Sequence, residues 1–173
     1  MKTKSVILAA LLATLSGCVT PPQKITIKEE FNVVEAKSLL AEGKNSVHGS
    51  SLIRQRGGGV VTCAGNEVIL TPATSYATER MLVIYGSADR GYNPAMGGKN
   101  IVFENQHALY GFMTKKALCD AQGFFKFENL ADGSFYVVSQ VIWESGRAGY
   151  EGGFIMQKVT VKGGESKEII LAP

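Results

Sequence analysis

The chain has 173 residues, 45% of them hydrophobic and 19% charged, and a formal net charge of +3. Two of its 18 basic residues, Lys2 and Lys4, stand at the extreme N-terminus, and the rest nearly balance the 15 acidic residues. That balance removes the electrostatic case for nucleic-acid binding. The length suits one domain with a substantial core, and no apolar run reaches the ~20 residues of a membrane-spanning helix.

Residues 1–17 read as an export signal. Lys2 and Lys4 give a positive start, residues 5–15 form an apolar core of about eleven residues, and small Ser16 and Gly17 lead into Cys18. Leu15-Ser16-Gly17-Cys18 resembles the lipobox of bacterial lipoproteins. The resemblance implies cleavage before Cys18, a diacylglycerol on its thiol and an acyl group on the new amino terminus. Each buried CH₂ adds ~0.8 kcal/mol, so two or three chains anchor firmly where one is marginal. Enterobacterial lipoproteins retained in the inner membrane typically carry Asp after the cysteine; here it is Val19. The resemblance therefore implies an outer-membrane lipid anchor with the domain facing the periplasm. Residues 18–27, containing Pro21-Pro22, are expected to form a lipidated tether.

Residues 28–43 predict a helix. No Gly or Pro interrupts them before Gly43, and Val33, Ala36 and Leu40 share a face, although Phe31 and Val34 lie off it. From Asn45 onward, short apolar runs alternate with glycines. Strands are predicted over 47–53, 60–63 and 67–71, the last ended by Pro72. Gly57-Gly58-Gly59 reads as a hairpin tip, since no Lys-Ser/Thr follows to make a phosphate loop. Residues 76–85 are compatible with helix or strand.

Residues 86–99 read as a loop, 101–103 and 108–118 as strands, and 123–128 as a strand with Phe125 and Phe127 on one face. After Asp132-Gly133, the side chains of Phe135, Val137, Ser139, Val141 and Trp143 line one face of a longer strand. Residues 145–153 form a second glycine-rich loop, and 154–161 with 167–171 a final hairpin. These elements predict a mostly β protein, an antiparallel β-sandwich over 45–173 preceded by a short N-terminal helix. With Cys18 taken by lipid, Cys63 and Cys119 form an even pair in an oxidising compartment, which favours a disulfide over two buried thiols.

The stretch from Asp120 through Gly123, Phe125, Phe127, Leu130, Gly133 and Phe135 to Val137 carries a second resemblance. It resembles the D-x-x-G-x-F-x-F-x-x-L-x-x-G-x-Y-x-V pattern of carboxypeptidase regulatory-like domains, with Phe135 where Tyr is commoner. The resemblance implies a Greek-key, transthyretin-like (prealbumin-like) sandwich. The residues agree with it on physical grounds, because the glycines permit tight turns and the apolar positions face one core.

Enzymatic motifs do not emerge. Transthyretin-like hydroxyisourate hydrolases end in Tyr-Arg-Gly-Ser, whereas this chain ends Leu171-Ala172-Pro173. Neither His48 nor His107 stands in zinc-ligand spacing, and Asp89, Asp120 and Asp132 read as turn residues rather than a calcium loop. The expectation is no catalytic residue, no metal and no cofactor. Aromatic residues and one arginine flank or occupy the two glycine-rich loops: Tyr92 at the first, Trp143, Arg147 and Tyr150 at the second. The alternation favours Trp143 as a core residue with scattered tyrosines; the alternative is an aromatic platform where the loops meet. The expected function is a membrane-anchored, non-catalytic interaction or structural module contacting another envelope protein. The alternative is a glycan- or peptidoglycan-binding module using those aromatics, with an enzyme or metal protein as a third reading behind it.

Overall fold

The computed structural model describes residues 21–146 and 149–173, so the signal segment, Cys18 and Arg147 lie outside the described residues. Part of the expected tether is docked on the body. Gln23–Ile25 forms strand β1, which pairs in parallel with Ile101–Phe103. Ile27 is buried, and its N–H and carbonyl both bond to the Asn105 side chain, at 2.8 and 2.7 Å. The first helix, α1, covers Val33–Leu40 and is shorter than the expected 28–43. Asn32 starts it, its side chain accepting from the N–H groups of Val34 and Glu35, so residues before it cannot continue the helix. The N–H groups of Lys28 and Glu29 instead reach the Glu79 carboxylate at 2.8–3.1 Å. The expected face holds: Ala36 is buried and Val34 exposed.

Strand β2 runs from Glu42 to Arg54 and turns through the glycine tip into β3, Val60–Thr62. Strand β4 is Glu67–Pro72. The ambiguous stretch is a helix, α2, Ser75–Tyr85. Thr74 caps its start by accepting from the Ala77 N–H, and Gly86, at φ 75°, closes its end. Tyr76, Ala77, Arg80 and Met81 are its buried residues, a helical spacing with a cation inside the stripe.

The region expected as a first loop contains strand β5, Arg90–Pro94. Strand β6 is Ile101–Phe103. Only Lys115–Leu118 of the expected strand 108–118 is extended, as β7; Tyr110–Phe112 forms a 3₁₀ turn. Strands β8 (Phe124–Leu130), β9 (Gly133–Glu144), β10 (Tyr150–Val161) and β11 (Ser166–Leu171) complete the chain. The second expected loop is therefore shortened by the start of β10 at Tyr150. β10 and β11 do not make the expected hairpin. After Gly163-Gly164 the chain crosses to the other sheet, where β11 lies parallel to β2.

The main sheets give a mostly β, sandwich-like arrangement with two helices. A five-stranded antiparallel sheet runs β5-β10-β9-β4-β7. In the other, β2 is central, with β11 on one edge and β3 and β8 on the other. β3 and β8 lie end to end: the Ser51 N–H donates to Gly123 O and its carbonyl accepts from the Cys63 N–H. Between the sheets sit Val47, Phe125, Phe127 and Leu171 from one, with Val68, Leu70, Phe135, Val137, Val141 and Ile155 from the other. Each such side chain contributes about 1.5–3 kcal/mol by leaving water. The opposite face of the five-stranded sheet is also covered. Tyr136 and Met156 pack there under Tyr76, Ala77 and Met81 of α2, joined by Ile27 and Tyr110.

The Cys63–Cys119 disulfide is formed and joins the end of β3 to the end of β7, tying one sheet to the other. No helix among the described residues is long and apolar enough to cross a membrane.

Candidate functional site

Tyr92 and Trp143 lie on the core-facing side of the five-stranded sheet. Tyr92 pairs with buried Ile155, and Trp143 continues the row of Phe135, Val137 and Val141 beyond the closed core. Both rings are half-buried and pack against the core. They rest on Gly152 and Gly153 of β10. A Cβ on Gly152, at φ 87°, would fall 2.7 Å from the Trp143 ring and collide with the Val141 carbonyl. One on Gly153 would fall 2.9 Å from the Tyr92 ring. The glycine pair thus lets two aromatic rings lie against bare backbone. The Tyr92 hydroxyl also donates to the Gly152 carbonyl at 2.7 Å. Burial raises the pKa of that hydroxyl, which stays protonated at neutral pH.

The β2–β3 hairpin rises over this floor. Arg54, Gln55, Arg56, Gly57 and Gly59 form one wall of a cleft of about 830 Å³, with Tyr92, Pro94, Met96, Trp143, Glu151 and Gly152 opposite. Gly58 has φ 89°, and the tip is closed by bonds between Gln55 and both Gly58 and Gly59. Glu151, paired across the strands with Trp143, accepts from the Ser145 hydroxyl at 2.6 Å. Among the described residues neither Arg54 nor Arg56 pairs with a carboxylate. The cleft therefore offers ring surface on its floor and free guanidinium donors on its rim.

Of the aromatic loop residues, Tyr92 and Trp143 come together. Tyr150 is 65% exposed, opposite Glu144, and is not part of the cleft wall. His48 and His107 are separated: His48 lies on β2, and the His107 ring packs 5.1 Å from that of Phe31. Asp120 holds its own turn, accepting from the N–H groups of Gln122 and Phe124 at 2.9 Å. Among the described residues no three His, Cys, Asp or Glu gather as a metal site. Sequence reasoning missed Arg54, Gln55, Arg56 and Glu151. The available signal was two arginines flanking a glycine tip, which points to a function only once the tip is known to overhang Trp143.

No family model matches the chain, and no curated protein matches it. Among solved structures it is similar to a candidate carbohydrate binding protein from Pseudomonas aeruginosa, with TM-score 0.67 and 22% sequence identity. The match covers 84% of this chain and 99% of that one. At this identity the likeness is one of fold.

Proposed function

We propose that the chain is a non-catalytic glycan-binding module of the bacterial envelope, anchored in the outer membrane through lipid on Cys18 and facing the periplasm. The observation that carries the reading is the convergence of Tyr92 and Trp143 on one cleft floor beneath Arg54, Gln55 and Arg56. Sugar rings present C–H faces that stack on aromatic rings and hydroxyls that need planar donors and acceptors at the rim. The fold neighbour's candidate role in carbohydrate binding supports the same reading. We assign the sandwich to the transthyretin-like, carboxypeptidase regulatory-like group on the motif spanning Asp120 to Val137; the sheet arrangement is compatible with that assignment.

The test is retention of the purified chain on peptidoglycan and on a panel of immobilised polysaccharides. Saturable retention is expected on at least one, weakened about tenfold or more by Trp143→Ala or Tyr92→Ala, with circular dichroism showing the fold intact. Absence of retention on every polymer, or equal retention by folded Trp143→Ala, would overturn the reading.

A second reading, contact with an envelope protein, draws on a different surface. Phe124 and Ile170 both pair with Ser50, one on each side, so the three share the outer face of the β2 sheet. Phe124 is 54% and Ile170 59% exposed. Cross-linking in intact cells tests this: a defined partner lost on Ile170→Asp supports it, and the same cross-links with that variant sink it.

A further inference from the structure

A separate cavity of about 350 Å³ opens on the opposite face of the five-stranded sheet from the aromatic cleft. Its floor includes Ile69 and Val138, which sit opposite each other on β4 and β9. α2 supplies Met81 and Ile84, and Arg80, Tyr85 and Tyr110 are also among the lining residues. The volume is within the range of small-molecule sites.

Arg80 is the group that the fold alone does not explain. It is only 9% exposed. Among the described residues no carboxylate lies within 4.0 Å of it. One terminal nitrogen, Nη2, donates to Gln106 at 3.1 Å, while Nη1 is buried with no partner. The guanidinium lies 3.8 Å from the centroid of the Phe103 ring and 4.5 Å from that of Tyr110. Ring faces offset part of the cost of taking a cation out of water, but they leave its charge unneutralised.

The two phenols extend the donor set. Burial pushes the Tyr110 hydroxyl up to about 12, against the opposing pull of Arg80 beside it. Burial raises Tyr85 too, with Tyr110 adding to the shift. Both remain O–H donors at neutral pH. Lys116, also at this cavity, is already paired with Glu67 at 2.8 Å. An unneutralised guanidinium and two protonated phenols above an aliphatic floor match an anion with an apolar body.

We propose that this cavity binds a small organic monocarboxylate, its carboxylate held toward Arg80, Tyr85 and Tyr110 and its hydrocarbon lying on Ile69, Met81 and Val138. The site is separate from the glycan cleft and does not rest on that assignment.

The experiment is titration of hexanoate and benzoate into the purified chain at neutral pH, followed by calorimetry and by NMR shifts. Hexanol, hexanamide and inorganic phosphate serve as controls. Saturable binding of at least one acid is expected, about tenfold or more tighter than hexanol or hexanamide, with no binding of phosphate to this cavity. Tyr85→Phe should weaken acid binding about threefold or more, whereas Trp143→Ala should leave it unchanged. Arg80→Lys should abolish it if that variant folds, and Tyr85→Phe carries the test if it does not. Absence of saturable binding of both acids at millimolar concentrations would overturn the proposal. So would equal binding of acid and amide, or full affinity in folded Tyr85→Phe.

Discussion

The hydroxyl of Tyr92 donates a 2.7 Å hydrogen bond to the backbone carbonyl of Gly152, sixty positions away in the chain. The bond fixes the ring over the glycine pair and sets one side of the cleft floor. Stacking and hydrogen bonding can be separated at this residue. Tyr92→Phe keeps the ring and loses the bond, so it should cost about 1 kcal/mol of stability in urea unfolding, with glycan retention within about twofold of the parent. Tyr92→Ala removes the ring and should lose most retention.

Gly152 tests whether the floor depends on bare backbone. Gly152→Ala places a methyl group against the Val141 carbonyl and the Trp143 ring, at φ 87°. It should destabilise by roughly 2 kcal/mol or more and weaken glycan retention by displacing the indole. Gly58→Ala, at φ 89° with open space around it, is the matched control. It should cost only about 1 kcal/mol and leave retention nearly intact. Thermal unfolding and the retention assay read both.

Asn45 is the hinge of the crossing from one sheet to the other. It is 1% exposed. Its amide donates to Leu130 O and to Asp132 at 2.9 Å, and its oxygen accepts from the N–H groups of Gly164 and Glu165 at 2.8 Å. Asn45→Ala strands these groups together and should cost about 2–4 kcal/mol in chemical denaturation. A cost no larger than that of an exposed polar-to-Ala change would show that water replaces the amide.

The disulfide joins positions 56 apart in sequence, one at the border of each sheet. Removing that constraint from the unfolded chain, as in Cys63→Ser with Cys119→Ser, should lower stability by roughly 4 kcal/mol in the chain-entropy view. The measurement is the urea midpoint of the double variant. An unchanged midpoint would mean that core packing alone holds β3 to β7.

Asp132 gives the fold an acid-side dependence. The Asn45 side chain, first, and the Gly163 N–H, second, hold its carboxyl below the usual carboxylate range. A pKa depressed in the folded state contributes stability that is complete above the unfolded pKa. It is lost as pH falls through the folded one. The gap in midpoint between the parent and Asp132→Asn should therefore be widest near neutrality and close below about pH 4. A gap that stays constant down to strong acid would remove Asp132 as its source.

The strands with strict alternation were legible because one face is dry. Phe135, Val137 and Val141 on β9, with Phe125 and Phe127 on β8, alternate as expected and meet in one core. Segments whose partners are distant in sequence were not legible. β5 contains Gly91, Asn93 and Pro94 and reads as part of a loop; it is a strand because β10 supplies its ladder, and Pro94 is tolerated at an edge. α2 is ambiguous in the sequence because Arg80 interrupts its apolar stripe, and the aromatic rings that offset part of the cost of burying the guanidinium come from distant segments. β11 is expected beside β10, but its parallel partner is β2, whose Ser46–Ser51 lie far from it in the chain. At the cleft, Tyr92 and Trp143 were legible as aromatic residues near loops. Their arginine rim was not, because hairpin overhang leaves no periodic trace.

The docking of the N-terminal segment has a consequence in distance. β1 is zipped to β6, Ile27 is clasped by Asn105, and Lys28 and Glu29 are held by Glu79. If Cys18 carries the proposed lipid, the leash ahead of Gln23 is only residues 18–22. Even fully extended, they reach roughly 17 Å. Such a module grazes the bilayer surface and samples only polymer that comes close to it. Undocking β1 would let the same domain forage farther out without altering its cleft.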